Sequence, residues 1–437
     1  MHNPQGHEGL FLAPHSQKLQ NIKMHGSIPR KIWLLAACNA VVAAGYALSM
    51  PFLAVYLSVK RGVPMSVTGG FLAVSMAFTA LGSAWGGEMA DAFGRRKIML
   101  FSLFTRSLVI AAMAGAMWLD LHFIWLVGLH ILNGLSGALF GPASQSWVAD
   151  QTPLEKRVEA FGVLRIGSNL GWALGPMLGG LLALKSYAAM FAVSAVVYFF
   201  TACALIRVIE ETRPSAVERQ ASLVEMLREL RNARFARFCA CLFLISAVMS
   251  QLVVGLSLYC VKYIGLLERQ VGVLFSINGL MVVFLQYIMT RSLSRIRISS
   301  GIALGCCFYA LGYGYIGFAS SYAAIIAGVV VLTLGELAVS PGVHAIAANM
   351  AGPDRKGRYM GMAGVVQQSG SALGIFLGGT GMELITPHFR YGGWMIITVI
   401  ALAAAIGFHG LAKILTDKED GVRTNEPVDE EQASALP

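Results

Sequence analysis

Charged residues are scarce in this sequence. Only 13% of its 437 residues are Asp, Glu, Lys or Arg, whereas soluble domains carry about 25%. Hydrophobic residues make up 56% of the chain, and the mean hydropathy is +0.65. A soluble core has no room for so much apolar surface. The composition therefore excludes a soluble enzyme or binding domain and predicts a protein that crosses a membrane several times.

Signatures of metal and ATP chemistry are missing as well. The seven cysteines lie within or at the edge of apolar runs, without the spacing of metal ligands, so we interpret them as small buried hydrophobic residues. The sequence contains no Walker-type ATP loop and no nucleophile with a matching base. It therefore predicts a protein that is not an enzyme and has no cofactor and no metal site.

Twelve apolar runs are long enough to cross a bilayer, which takes about 20 residues in a helix. We therefore predict an all-α membrane protein with 12 transmembrane helices in two six-helix bundles. The predicted spans are residues 32–59, 66–90, 97–118, 123–148, 158–184, 188–209, 235–262, 270–290, 301–319, 323–351, 359–384 and 391–415.

The charged gap after the sixth run divides the chain. It has Leu223, Met226, Leu227 and Leu230 at helical spacing, which predicts an amphipathic surface helix. The polar start of the chain and the length of its first apolar run argue against a cleaved signal peptide. The predicted organisation is an N-terminal tail (1–30), an N-terminal bundle (31–209), a linker (210–234), a C-terminal bundle (235–415) and a C-terminal tail (416–437).

Basic residues are distributed asymmetrically across the predicted spans. Of the 33 Lys and Arg residues, 25 lie in segments on the side of the termini and only six on the other side. Because loops rich in Lys and Arg stay in the cytoplasm, we predict that both termini are cytoplasmic. Because the basic residues are scattered over short loops, the net charge of +10 does not indicate a nucleic-acid partner.

An internal repeat links the two halves. When Arg157–Gly180 is laid over Lys356–Gly379, five glycines coincide. Spans 5 and 11 are therefore predicted to be equivalent, and two similar bundles around a central cavity are typical of transporters.

The loop between spans 2 and 3 concentrates charge in a small space. Its pattern is Gly87-x3-Asp91-x2-Gly94-Arg95-Arg96-Lys97. The glycines permit a tight turn, and an arginine of this turn can pair with Asp150 at the end of span 4. A plain positive loop with a structural aspartate is the alternative interpretation.

Span 5 carries the pattern Gly162-x8-Gly171-x3-Gly175-Pro176-x2-Gly179-Gly180. Small residues three and four apart give a flat face for close helix packing, and the proline weakens the helix. We predict that this helix packs across the interface between the halves and moves during transport. Generic packing of small residues is the alternative.

These two patterns resemble a known family. The loop resembles the signature loop of the major facilitator superfamily, and span 5 resembles the motif of its proton-coupled antiporters, above all the drug exporters. The resemblance implies alternating access, with Gly87, Asp91, Gly94, Arg95, Arg96 and Asp150 forming a latch in the outward-open state. Span 4 departs from the family, because His130, followed by Asn133 and Gly134, stands where an arginine is often tied to proton coupling.

Ionisable groups inside the spans are the strongest functional candidates, because a charge at the bilayer centre costs about 2.5–3.5 kcal/mol. Glu336 lies 14 residues from Tyr322, or about 21 Å along a helix, and shares a helix face with Ser340 and His344. It is either a proton site or a structural glutamate. The other predicted cavity residues are His130, Arg165, Arg106, Asn133, Asn169, Gln145, Gln367 and Gln368.

Two of these candidates keep three possible roles. Arg106 and Arg165 bind an anionic substrate, tune the proton site or pair structurally, and the sequence does not separate these roles. His130 is either a second proton carrier or a packing residue.

We therefore predict a proton-coupled antiporter that exports drugs or other small molecules from a bacterial cell across its inner membrane. Its partners would be the substrate, protons and the lipid bilayer, and it would act as a monomer. A proton-coupled importer or a dedicated exporter of one metabolite, lipid or siderophore is the nearest alternative. A membrane-embedded enzyme and a non-transporting sensor are more remote ones.

Overall fold

Twelve long helices form the protein in a computed structural model that describes residues 29–152, 157–212, 223–293, 295–351 and 355–421. No strand occurs within these ranges. The helices are α1 (Arg30–Lys60), α2 (Met65–Phe93), α3 (Arg95–Trp118), α4 (Phe123–Gln151), α5 (Arg157–Ala183), α6 (Tyr187–Val208), α7 (Ala233–Ile264), α8 (Glu268–Leu293), α9 (Ile298–Phe318), α10 (Tyr322–Met350), α11 (Lys356–Leu384) and α12 (Gly392–Leu411).

The predicted all-α membrane fold is confirmed. Ten of these helices, counted over the described ranges, are long and apolar enough to cross a membrane. The two others are α5 and α11, the helices that carry the repeated glycines. Glycine and polar side chains lower their hydropathy, because these helices bury much of their surface against protein rather than lipid.

Three of the helices depart from regular α-helical geometry. In α4, the segments Phe123–Ala138 and Phe140–Gln151 meet at Leu139. Pro142 explains the break, because it has no N–H for the carbonyl of residue 138. The last turns of α1 and α7 both widen into π-helix, over Tyr56–Lys60 and Cys260–Ile264.

Helices α5 and α11 occupy equivalent places at the centre. Helix α5 packs on α1 in its own half and on α8 in the other half, and α11 packs on α7 and α2 in the same way. Gly175 faces the carbonyl of Ala44 on α1, and its repeat mate Gly374 faces Ala247 on α7. The predicted repeat therefore appears in three dimensions as the same helix contact made twice.

The central linker is held at one end of the bundle, together with the turn at Gly94. It contains a short helix, Leu223–Arg228, followed by a tight turn, Glu229–Arg231. We call these residues the linker helix and this end the linker end. Residues 213–222 lie outside the described ranges.

Only part of the predicted apolar face of the linker packs against the core. Met226 and Leu230 pack against the core, but Leu227 is 47% exposed. The α-helical part of the linker helix, Leu223–Arg228, has only six residues. The buried position next to Leu230 is then taken by Glu229, which pairs with arginines at the start of α11.

Part of the predicted C-terminal tail is folded. Asp420 is fully buried and accepts hydrogen bonds from the backbone N–H of Ser299 (2.7 Å) and from its hydroxyl (2.6 Å). Glu419 pairs with Arg234 of α7 at 2.8 Å. The segment after α12 therefore ties together the linker-end termini of α7 and α9, and residues 422–437 lie outside the described ranges.

Candidate functional site

The two halves meet closely at the end opposite the linker. The backbone N–H of Ser66 on α2 donates to Glu383 Oε2 on α11 (2.7 Å). The hydroxyl of Tyr187 on α6 donates to Glu268 Oε1 on α8 (2.9 Å). Gly272 of α8 lies against the carbonyl of Pro176. These contacts close the opposite end of the interface.

Toward the linker end the same helices have free surface. A Cβ added at Gly162 of α5 or at Gly364 of α11 would meet no heavy atom within 4 Å. Each of these two helices also lines a surface cavity there, together with neighbours from its own half. We call the space between the halves at this end the cleft. The arrangement is therefore closed at one end and open toward the linker.

A central cavity of about 270 Å³ lies between the halves and contains Glu336. Asn169 and Trp172 of α5 line it from the N-terminal half, and the other lining residues belong to α7, α8, α9 and α10. Asn278 Nδ2 donates to Glu336 Oε2 (2.7 Å) and to Thr333 Oγ1 (3.1 Å). Glu336 makes no ion pair within 4.0 Å among the described residues. The carboxyl group is held by a neutral amide, in a cavity shared by both halves.

A second cavity of about 350 Å³ lies mainly in the N-terminal half. Arg106, His130 and Asn133 line it together, and Gln368 of α11 reaches it from the other half. Arg106 Nε donates to Asn133 Oδ1 at 3.3 Å. We call this the Arg106 cavity.

The remaining predicted cavity residues lie nearer the linker end. Arg165 is exposed in the cavity on the N-terminal wall of the cleft, beside Gln145. His344 and Gln367 line the cavity on the opposite wall, and His344 Nδ1 lies 2.8 Å from the carbonyl of Ser340. Glu336 and His344 share one face of α10 but line different cavities. They are eight residues apart, which is about 12 Å along the helix.

The predicted latch residues come together at the linker end. Arg95 is 5% exposed and pairs with Asp91 Oδ1 at 2.9 Å and with Asp150 Oδ2 at 3.1 Å. Gly94 has a φ of +103°, which favours glycine. Gly87 lies within α2. All of these residues belong to the N-terminal half, and they are together here while the cleft is open at their own end.

Arg96, the other arginine of the turn, does not join this carboxylate pair. Its guanidinium donates to the carbonyl of Ile206 at 2.8 Å. Its backbone N–H and that of Lys97 donate to Glu211 at 3.1 and 3.2 Å. Glu211 therefore neutralises the free N–H groups and the positive dipole end of α3.

Residues just after α6 complete this network, and the sequence reasoning missed them. Thr212 Oγ1 donates to Asp150 Oδ2 at 2.9 Å. The hydrogen bond from Lys31, 2.8 Å long, lowers the pKa of exposed Glu210. The available signal was the acidic pair at 210–211, directly after an apolar run and matched in charge to the basic turn.

The glycines of span 5 divide between two partners. Gly171, Gly175 and Gly179 face α1 within the same half, and Gly180 faces the start of α8 in the other half. Gly162 faces neither helix. The motif therefore packs across the halves at Pro176 and Gly180, whereas the three glycines that face α1 fix α5 on its own bundle.

The sequence of residues 35–375 matches the family model of the Major Facilitator Superfamily. The chain belongs to this superfamily. It is therefore an integral membrane protein and a transporter of small molecules, not an enzyme. The signature loop and the span-5 motif both fall within the matched region.

Similar proteins and a solved structure agree with this family. The chain is 23% identical over 385 residues to the multidrug resistance protein MdtH of Yersinia enterocolitica, covering 86% of this chain and 93% of the relative. It is 22% identical over 391 residues to a Na(+), Li(+), K(+)/H(+) antiporter of Planococcus maritimus, covering 82% and 89%. The crystal structure of a POT family transporter in complex with 5-aminolevulinic acid has the same fold, with a TM-score of 0.75, 15% identity and coverage of 90% and 98%.

Proposed function

We propose that the protein exports drugs or other small molecules in exchange for protons, by alternating access. The observation that carries the proposal is Glu336 in the cavity between the halves. It is the acidic group at mid-helix, it has a neutral partner, and it faces a space that both halves line. A carboxyl group in such a place can be neutral when the cavity is dry and ionised when the cavity holds water or a cation.

Coupling requires that the substrate and the proton affect each other's binding. Glu336 would serve this purpose by releasing its proton when the substrate enters the central cavity. The relatives named as a multidrug resistance protein and as a proton antiporter support the same proposal.

The test is substrate flux in proteoliposomes, with and without an imposed pH gradient. Glu336→Gln imitates the protonated side chain permanently, so it should abolish gradient-driven flux while leaving downhill exchange. Glu159→Gln is the control, because it makes the same chemical change at an exposed glutamate of α5 that lies outside the central cavity. Its flux should still respond to the gradient. If Glu336→Gln keeps the full gradient response, Glu336 is structural and His130 is the next residue to test.

The direction and the orientation need separate experiments. Uptake of substrate into inverted membrane vesicles on acidification of their lumen would support export, and uptake by right-side-out vesicles would favour the importer. We place the linker end in the cytoplasm because it carries most of the basic residues. Reporter fusions at Ser215 and Thr424, both outside the described residues, should therefore give a cytoplasmic signal.

A further inference from the structure

Arg106 is a buried cation without a carboxylate. It lies halfway along α3 and is 6% exposed. No acidic side chain in the described ranges lies within 4.0 Å of it. Its guanidinium lies over the ring of Tyr198 (4.3 Å) and near that of Tyr46 (5.6 Å), and it donates to Asn133. Aromatic rings and one amide offset only part of the cost of burying this charge.

The fold makes room for this arginine. A Cβ added at Gly137 on α4 would lie 3.0 Å from Arg106 Nε and Cζ. A side chain there would push the guanidinium out of its place, so the glycine lets α4 approach the charge closely. Tyr46 on α1, Tyr198 on α6 and Asn133 on α4 surround Arg106 from three other helices. The guanidinium is therefore positioned from all sides at mid-depth.

A second polar group in the same cavity lacks a hydrogen-bond partner. His130 is 9% exposed, and its buried Nδ1 has no hydrogen-bond partner among the described residues. Phe71 contacts the ring edge-on, with the centroids 5.9 Å apart. A buried ring nitrogen without a partner costs free energy unless a ligand or water satisfies it. The unpaired cation and the unpaired nitrogen line one cavity.

We propose that the Arg106 cavity binds an anionic group of the transported substrate, a carboxylate or a phosphate-type oxyanion. Arg106 supplies the opposite charge, and a guanidinium can donate two parallel N–H hydrogen bonds to one oxyanion. Asn133 and His130 supply hydrogen bonds beside it. The proposal rests on the proposed transport function and specifies its substrate class.

The position of the cavity suits a substrate site. Gln368 of α11 lines it, so a ligand there touches both halves and can sense their relative movement. Glu336, the proposed proton site, lies in the other half, at the middle of α10. A purely cationic drug finds no partner at Arg106.

The experiment measures binding to purified full-length protein in detergent. The probes are matched triplets of aryl carboxylates, their neutral amides and the corresponding amines, for example phenylbutyrate, phenylbutyramide and phenylbutylamine. Isothermal titration and the shift of the melting temperature report on each probe. We expect binding in the carboxylate arm and at least tenfold weaker binding of the matched amide and amine. Losing a hydrogen bond to a charged group costs about 1.5–3 kcal/mol, which corresponds to about 10- to 140-fold in affinity.

Variants assign the effect to the site. Arg106→Gln should lose the carboxylate preference, Arg106→Lys should keep it at reduced affinity, and Arg207→Gln, which removes an exposed arginine on α6, should bind as the wild type does. If Arg106→Gln does not fold, His130→Ala should still weaken carboxylate binding. The proposal is overturned if no carboxylate in the panel binds, if amides or amines bind as well as the acids do, or if binding survives Arg106→Gln. Because no gradient is present, this result is independent of whether Glu336 couples transport to protons.

Discussion

Replacing Gly175 by alanine tests whether the glycine stripe of α5 is needed for close packing. The added Cβ would lie 2.6 Å from the carbonyl oxygen of Ala44, 2.9 Å from Ala47 Cβ and 3.1 Å from the backbone nitrogen of Leu48. Ordinary van der Waals contact begins at 3.4 Å. Two of these neighbours are backbone atoms of α1, which cannot rotate away. Helices α1 and α5 must therefore separate by several tenths of an ångström.

The cost follows from comparing two effects. Overpacking a well-packed contact costs about 1–3 kcal/mol, and alanine gains at most about 1 kcal/mol over glycine in a helix. We therefore expect Gly175→Ala to lower the free energy of unfolding by up to about 2 kcal/mol. Gly162→Ala is the matched control, because it lies in the same helix with no heavy atom within 4 Å of the added Cβ. It should be neutral or slightly stabilising.

The internal repeat supplies an independent pair. A Cβ at Gly374 would lie 2.5 Å from Ser250 Oγ and 2.6 Å from Ala247 Cα, whereas Gly364 has free space. The assay is thermal unfolding of the four purified variants in one detergent, followed by intrinsic fluorescence. Gly175→Ala and Gly374→Ala should melt below the wild type, and the two controls should not. Melting of Gly175→Ala at or above Gly162→Ala would show that the packing argument is wrong.

Two further predictions concern the linker end. Asp150→Asn weakens one of the two ion pairs of buried Arg95, so transport should fall while the yield of folded protein stays near that of the wild type. Asp91→Asn should act in the same direction. Flux in proteoliposomes measures both variants, and wild-type flux in Asp91→Asn would contradict the latch assignment. Asp420→Ala removes both acceptors of Ser299 and should lower the free energy of unfolding by about 1–3 kcal/mol, which an unchanged melting temperature would refute.

The fold could be predicted from the sequence because the order and length of the apolar runs determine which segments cross the membrane. The length of each apolar run and the charged gaps between runs determine where helices begin and end. The repeated glycines then identified α5 and α11 as equivalent helices. The linker was harder to predict, because buried Glu229, which pairs with Arg355 and Arg358, holds it together with the apolar contacts of Met226 and Leu230.

The candidate site was predictable in its residue types but not in its grouping. A charge inside an apolar run is visible in the sequence, so Arg106, Glu336 and His130 were found. Their division between two cavities depends on which helix faces which, and that is decided by contacts between residues far apart in the chain. The same reason explains why Asn278, the partner of Glu336 from another helix, was missed. Only the tertiary structure separates the two membrane arginines, because it buries Arg106 and leaves Arg165 exposed, and burial is a property of packed helices and not of a sequence.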